Sequence, residues 1–286
     1  MSTRYRVRHR TTYRYSERMT RGHTLTHLVP RSDGGQSLES FSLSIDPEPG
    51  DRFEYDDAFG NRVVQFVVAR AHAELIIESE STVQTSLSVL PDDPGAWDTQ
   101  RTWSPEVAGF VAPSPFALPT DAVREFAAES FVPGRTIPDV ALDLSRRINA
   151  EFTFDPSFSE IATPVDEVIR ARRGVCQDFA HLAIASLRSF GLPARYVSGY
   201  LETFPPPGYP KLVGADASHA WCSVALGGGG WLDLDPTNDQ VPPRHHIVTA
   251  YGRDYLDVSP VLGVVVGPVA TQQLEVAVDV VRLDPA

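Results

Sequence analysis

Residue types that together perform nucleophilic acyl transfer stand in the second half of the chain: a cysteine at 176, a histidine at 219 and aspartates at 233 and 235. Cys176 is one of only two cysteines, two residues after Gly174, at the head of the run "CQDFAHLAIASLRSFG". In that run Phe179, Ala180, Ala183, Leu187 and Phe190 repeat at three and four residues. This predicts a helix with one buried stripe, stopped by Gly191-Leu192-Pro193. A thiol on its first turn meets backbone N–H groups without helical partners and the positive end of the helix dipole. Both favour the thiolate.

The histidine and the aspartates share one segment, "SHAWCSVALGGGGWLDLDPTND", residues 218–239. Two strand-like runs flank four glycines, a strong hairpin signal. Along the first run His219, Trp221 and Ser223 share a face, while Ala220, Cys222 and Val224 share the other. Along the second, Trp231, Asp233 and Asp235 alternate with Leu232 and Leu234. Folding back at the glycines brings His219 roughly level with Asp235, within about two residues of register. The thiolate would attack an acyl carbon, the imidazole would return a proton to the leaving group, and a carboxylate would fix the imidazole's tautomer. The N–H of Cys176 would face the oxyanion. Asp233 lies on the same face as Asp235, so position leaves the choice of orienting carboxylate open. Cys222 points away from His219 and is expected to be a core residue.

Other titratable side chains fit less well. His181 lies five residues after Cys176, about 140° round the helix, and is expected to be structural. His245 and His246 are adjacent and point apart on a strand. With no HExxH, no CxxC and no calcium-loop pattern, neither a metal nor a cofactor is expected.

Composition sets the wider frame. The chain has 286 residues, 42% hydrophobic and 22% charged, as in ordinary globular proteins, with a net charge of −12. That charge argues against nucleic acid as a partner. Two cysteines suggest free thiols. No apolar run follows the N-terminal arginines, and residues 261–270 are too short to cross a bilayer, so a cytoplasmic protein with no membrane partner is expected. Residues 1–31 carry eight arginines against one acid, Glu17. In "RYRVRHRTTYRY" Arg4, Arg6, Arg8 and Arg10 alternate with Tyr5, Val7, His9 and Thr11, which predicts a strand with one basic face. A solvated edge strand is the expected reading; a face that guides an acidic substrate is the alternative.

The elements that must position these residues fall into two parts. Runs at 5–15, 40–46, 63–68 and 74–87, separated by turn clusters, predict an N-terminal antiparallel β domain over residues 1–110. Residues 91–119 are rich in Pro, Trp and Asp and read as a linker laid over the surface, its aromatics able to bury an interface. Helical patterns follow at 121–130, 137–152 and 165–174, then the cysteine helix and further strands. Residues 111–286 are therefore expected to be an α+β core, the cysteine helix packed on an antiparallel sheet.

The wording of the motifs adds a resemblance. "GVCQDFAHLAIASLRSFGLPARYVSGY", "SHAWCSVAL" and "GWLDLDPTN" together resemble the core of the transglutaminase-like superfamily, whose fold is similar to papain-type cysteine proteases. "YRVRHRTTYRY", "LVPR" and "DDAFGN" resemble the β region that precedes this core in bacterial members, and "HHIVTAYGRDYLDVSPVLGVVVG" is similar to the segment that follows it. The resemblance implies Cys176 as nucleophile, His219 as acid–base and Asp235, not Asp233, as orienting carboxylate. It implies acyl transfer through a thioester on a peptide or protein amide, with hydrolysis expected and transamidation the alternative. A binding or scaffold module that keeps the fold without turnover is the competing class. Labelling of Cys176 at mildly acidic pH separates the two.

Overall fold

The structure, a computed structural model, describes residues 2–86, 95–158, 163–204, 217–242, 245–268 and 271–283. Leu87, at the end of the fourth predicted strand, and residues 91–94 of the predicted linker lie outside the described residues.

Six strands come first: β1 (Ser2–Met19), β2 (Arg21–Thr26), β3 (Gln36–Asp46), β4 (Asp51–Asp56), β5 (Arg62–Val68) and β6 (His72–Ser86). Four of them match the predicted runs. The inward residues of β2 are Gly22, Thr24 and Thr26, which give no apolar signal, and β4 is exposed along its whole length. Next come helices α1 (Pro105–Ala108), α2 (Asp121–Ala128) and α3 (Ile137–Glu151), then β7 (Thr153–Phe154), α4 (Val165–Ala171), β8 (Arg173–Gly174) and the cysteine helix α5 (Cys176–Ser189). Strands β9 (Ala194–Leu201), β10 (Ala217–Ala225), β11 (Trp231–Leu234) and β12 (His246–Gly252) follow, then helix α6 (Tyr255–Val258) and strands β13 (Val261–Val266) and β14 (Gln272–Arg282).

Helix starts follow their capping chemistry. The Thr120 hydroxyl accepts from the Val123 N–H at the head of α2. Thr136 and Asp139 exchange side-chain and backbone bonds at the head of α3.

Twelve of the strands make three four-stranded sheets, ordered β14-β1-β6-β3, β13-β2-β5-β4 and β11-β10-β9-β12, and β7 and β8 form a separate parallel pair. The end of the chain thus returns to the beginning: β14 pairs with β1 and β13 with β2, both antiparallel. This corrects the expectation of an edge position for the arginine strand, because β1 lies between β14 and β6. Its arginines do face solvent. There Arg4 pairs with Glu39, and Arg8 and Arg10 reach Glu78 on the neighbouring β6. Tyr5, Val7, His9 and Thr11 on the opposite face are buried.

The third sheet is sandwiched. One face packs on the helices, where Leu144, Ile148, Phe179 and Leu182 meet Tyr196, Cys222 and Leu232. Farther along the same face, Tyr200 and Ile247 meet Tyr5, Val7, Val278 and Val280 of the β1–β14 pair, while Val197, Trp221, Val248 and Tyr251 form a buried cluster on the other face. A separate core with Tyr15, Phe66, Leu75 and Ile77 joins the first two sheets. Each such buried side chain contributes roughly 1.5–3 kcal/mol of apolar transfer energy, which is what makes burial on both faces worthwhile.

The linker's aromatics bury surface as expected. Trp97 meets Phe131 and Phe190 edge-on and donates its N–H to the Val132 carbonyl at 2.7 Å. Phe110 lies between Phe59 of the β4–β5 turn and Trp231 of the hairpin, with ring centroids 5.7 and 5.4 Å away.

Candidate active site

The start of α5 explains the letters around Cys176. Asp178, in the first helical turn, folds back so that its carboxylate accepts the Val175 N–H at 2.8 Å. A Cβ on Gly174 would lie 2.9 Å from both the Cβ and Oδ2 of Asp178, so only glycine leaves room for this closure. Cys176 then stands as the first helical residue, partly buried, with its backbone N–H in a position that has no helical acceptor.

His219 comes from β10 and Asp235 from the residue after β11. Cys222 pairs with Leu234 and Ser223 with Asp233, so continuing that ladder puts His219 two residues past Asp235, inside the expected offset. The His219 Nε2 and Asp235 Oδ2 are 2.8 Å apart. Since a carboxylate only accepts, Nε2 carries the proton. Cys176 acts on the same imidazole and helps raise its pKa, and Nδ1 is the ring nitrogen that Asp235 leaves open. Burial alone would push the pKa of His219 down. The hydrogen bonds and charges of Asp235 and Cys176 outweigh it and raise the value to about 10. Burial likewise favours protonation of Asp235, but hydrogen bonds and charge from His219 and His246 hold it well below the usual carboxylate range. The net effect favours imidazolium beside carboxylate.

Asp235 is fully buried and saturated with donors. The backbone N–H groups of Thr237 and Asn238 reach Oδ1 at 3.0 and 3.3 Å, and the Asn238 amide reaches Oδ2 at 2.8 Å. The D-P-T-N segment therefore turns round its own aspartate. Asp233 has other partners: the Trp221 indole N–H at 3.3 Å and the Ser223 hydroxyl. Cys222 is buried on the opposite face of β10, and burial pushes its thiol well above the usual range. His181 is also buried away from the thiol. It accepts the Tyr255 N–H at 3.2 Å, and burial with nearby Arg188 lowers its pKa to about 3.

One member of the cluster escapes the sequence. His246 Nε2 donates to Asp235 Oδ2 at 2.9 Å, while its neighbour His245 turns the other way to Glu202 at 3.2 Å. The alternation of this pair was legible; which of the two faces inward depends on where β12 lands. Burial keeps His246 neutral despite its carboxylate partner. Donor atoms of His219, Asp235 and His246 lie within 4.8 Å of one another, the one such group of metal-capable side chains among the described residues. An ion there would have to displace the hydrogen bonds of 2.8 and 2.9 Å that already join them.

A cavity of about 400 Å³ opens over the thiol. Cys176, Gln177 and His219 form one side, and inward residues of β1 and β14 form the other. The N-terminal strand thus shapes one wall of the cleft, as expected, together with the last strand.

Comparison with known proteins places this arrangement. A family model described as a bacterial transglutaminase-like N-terminal region matches residues 5–84, and one described as the transglutaminase-like superfamily matches residues 126–236. An uncharacterized protein of Mycobacterium tuberculosis is 44% identical over 297 aligned residues, covering 98% of this chain and 93% of the relative. A protein-glutamine gamma-glutamyltransferase of Pseudomonas aeruginosa is 33% identical over 105 residues, 35% of this chain and 16% of that protein. The crystal structure of a candidate cysteine protease from Cytophaga hutchinsonii superposes with a TM-score of 0.79 at 21% identity, covering 100% of this chain and 92% of that one, so the fold is shared. The GVCQD and HAW letters lie inside the matched core and Asp235 stands at its end, and this chain belongs to the transglutaminase-like superfamily, in the form that carries the bacterial N-terminal region.

Proposed function

We propose that the protein is a cysteine-dependent acyl-transfer enzyme that cleaves amide or peptide bonds through a thioester on Cys176. The observation that carries this reading is the His219 ring, held at 2.8 Å by buried Asp235 and standing with Cys176 at the wall of one cavity. A base held by an orienting group next to a nucleophile at a helix start is the arrangement acyl transfer requires.

The steps follow from these positions. The thiolate forms a C–S bond to the substrate carbonyl carbon, and the carbonyl electron pair moves to oxygen, where the Cys176 N–H can donate. The C–N bond then breaks, and His219 gives its proton from Nδ1 to the departing amine. Neutral His219 next takes a proton from water, whose oxygen attacks the thioester. The C–S bond breaks, and the acid product leaves with the thiolate and imidazolium restored. Asp235 keeps the Nε2 proton in place throughout and balances the imidazolium charge.

The test is a peptide library incubated with the protein, with and without a primary amine, and analysed by mass spectrometry. Hydrolysis products that vanish in Cys176→Ala are expected. Cleavage that survives in folded Cys176→Ala would end the thioester reading. Amine-adducted products would favour the second reading, transfer to an amine, which the resemblance to the Pseudomonas aeruginosa protein-glutamine gamma-glutamyltransferase supports over 105 residues.

A further inference from the structure

The wall opposite Cys176 is built from three cross-strand pairs. Tyr13 of β1 faces Leu274 of β14, Thr11 faces Val276, and His9 faces Val278. All six side chains line the cavity. Directly paired residues sit on the same face of a sheet, and successive rungs are two residues apart, so this ladder runs for about 13 Å. It also descends: Leu274 is 55% exposed, Val276 47% and Val278 1%. The ladder therefore leads from solvent to a buried floor beside the reacting groups.

Its chemistry is neutral. No Asp, Glu, Lys or Arg lines the cavity among the described residues. His9, at the floor, is buried, and its ring nitrogens contact the Thr11 hydroxyl at 2.8 Å and the Tyr200 hydroxyl at 3.2 Å. Burial lowers the pKa of His9 to about 4, so it brings no positive charge at neutral pH. A carboxylate or ammonium laid along this ladder would lose water and find no opposite charge on it, since the charged His219 ring stands on the cavity's facing side; an apolar chain avoids that penalty.

We propose, building on the acyl-enzyme reading above, that the acyl donor is a neutral, largely apolar chain lying along the β1–β14 ladder. The two ends of the polypeptide then select the substrate that Cys176 attacks. Leu274 and Val276 are the specificity residues at the mouth, and they are exposed because the substrate is what covers them. The outward arginines of β1 take no part in this selection.

The experiment measures alkylation of Cys176 by N-hexyl, N-(5-carboxypentyl) and N-(5-aminopentyl) iodoacetamide, sited by mass spectrometry. Each rate is divided by that of plain iodoacetamide on the same protein and corrected for reactivity with free thiol. The hexyl reagent is expected to gain at least about tenfold over plain iodoacetamide, as burial of a few methylenes provides, and the two charged tails none. In Val276→Glu the hexyl advantage is expected to shrink and the aminopentyl tail to gain one. Leu274→Glu, at the exposed mouth, repeats the test should Val276→Glu melt early. Equal ratios for the three tails on the parent protein, or a carboxypentyl ratio above the hexyl, would overturn the proposal while leaving the nucleophile intact. A Cys176 inert to plain iodoacetamide would overturn the acyl-enzyme reading and this one with it.

Discussion

His219 and His246 donate to the same oxygen of Asp235, at 2.8 and 2.9 Å, from strands on opposite sides of β9. The strand between them presents Gly199, directly opposite His219. A Cβ at that point would lie 2.0 Å from the Ile247 carbonyl oxygen and 2.8 Å from the Trp221 ring. The missing side chain is what lets β12 and Trp221 close on the carboxylate. Trp221 fills the space, with its ring centroid 5.0 Å from that of His246 and 5.9 Å from that of His219.

Gly199→Ala is therefore expected to destabilise the fold by about 1–3 kcal/mol or more, the range for overpacking a filled interior. The clash is with backbone, which cannot rotate aside. Urea unfolding of the purified variant measures it, and an unchanged midpoint would show that the strands are not packed this closely.

Asp235 and Asp233 differ by partner, and their variants should differ in kind. Asp235→Asn keeps the volume but presents an amide where His219 needs an acceptor. Turnover or Cys176 alkylation should fall by at least about 100-fold, the lower end of what positioned acid–base groups contribute. Asp233→Asn leaves one acceptor oxygen where Trp221 and Ser223 each use one. It should cost about 1–3 kcal/mol of stability and change the rate by only a few-fold. Equal rate losses in the two variants would remove the distinction.

The hairpin, the cysteine helix and the pairing of His219 with one of the two hairpin aspartates were legible because each rests on local letters: alternation, four glycines, a three-four repeat. Asp235 rather than Asp233 came from the family resemblance alone. The meeting of His246 with Asp235 was not, since nothing in "RHHIV" says which histidine faces inward until β12 is placed beside β9. Likewise the return of the tail to the head was hidden. "LEVAVDVV" reads as a strand, but its partner β1 lies more than 250 residues earlier, and pairing across such a distance leaves no local mark. The arginine alternation in β1 gave the strand and its faces correctly while suggesting the wrong place in the sheet, because an exposed face looks the same at an edge and in the middle.

The protonation of His219 yields a pH prediction. Its value in the fold, about 10, lies above the ordinary 6.5, so the stability it contributes is complete below pH 6.5 and lost as pH rises through 10. Asp235 is depressed, so its contribution is present above its ordinary 3.8 and lost as pH falls through the still lower native value. Thermal melts across pH should then show a decline on the alkaline side that flattens in His219→Gln. Part of the upward shift comes from Cys176, so in Cys176→Ala the ring should titrate below 10 yet above 6.5, as read by NMR of the His219 ring. A ring that titrates unchanged in Cys176→Ala would mean that the thiol does not share its proton.

The outward arginines of β1 give the last prediction. Arg4 is already paired with Glu39, and Arg8 shares Glu78 with Arg10, so much of their field is offset where they stand. They also point to the face of β1 opposite the one that lines the cavity. In physiological salt the screening length is about 8 Å, comparable to the thickness of sheet and side chains between them and the thiol. Their alternation serves a different end: an exposed sheet face made soluble by cross-strand charge pairs, while the intervening residues stay free to build the cavity wall. The variant Arg4→Gln, Arg6→Gln, Arg8→Gln should therefore alkylate with iodoacetate at the parent rate, relative to iodoacetamide. The ratio should keep the same slope between roughly 0.02 and 0.5 M salt, a range over which the screening length shrinks several-fold. Electrostatic guidance of an acidic substrate predicts the reverse, a lower rate for the anionic reagent and a flatter salt dependence in the variant. That outcome would return the basic face to the site and would leave the neutral ladder as only part of what the protein reads.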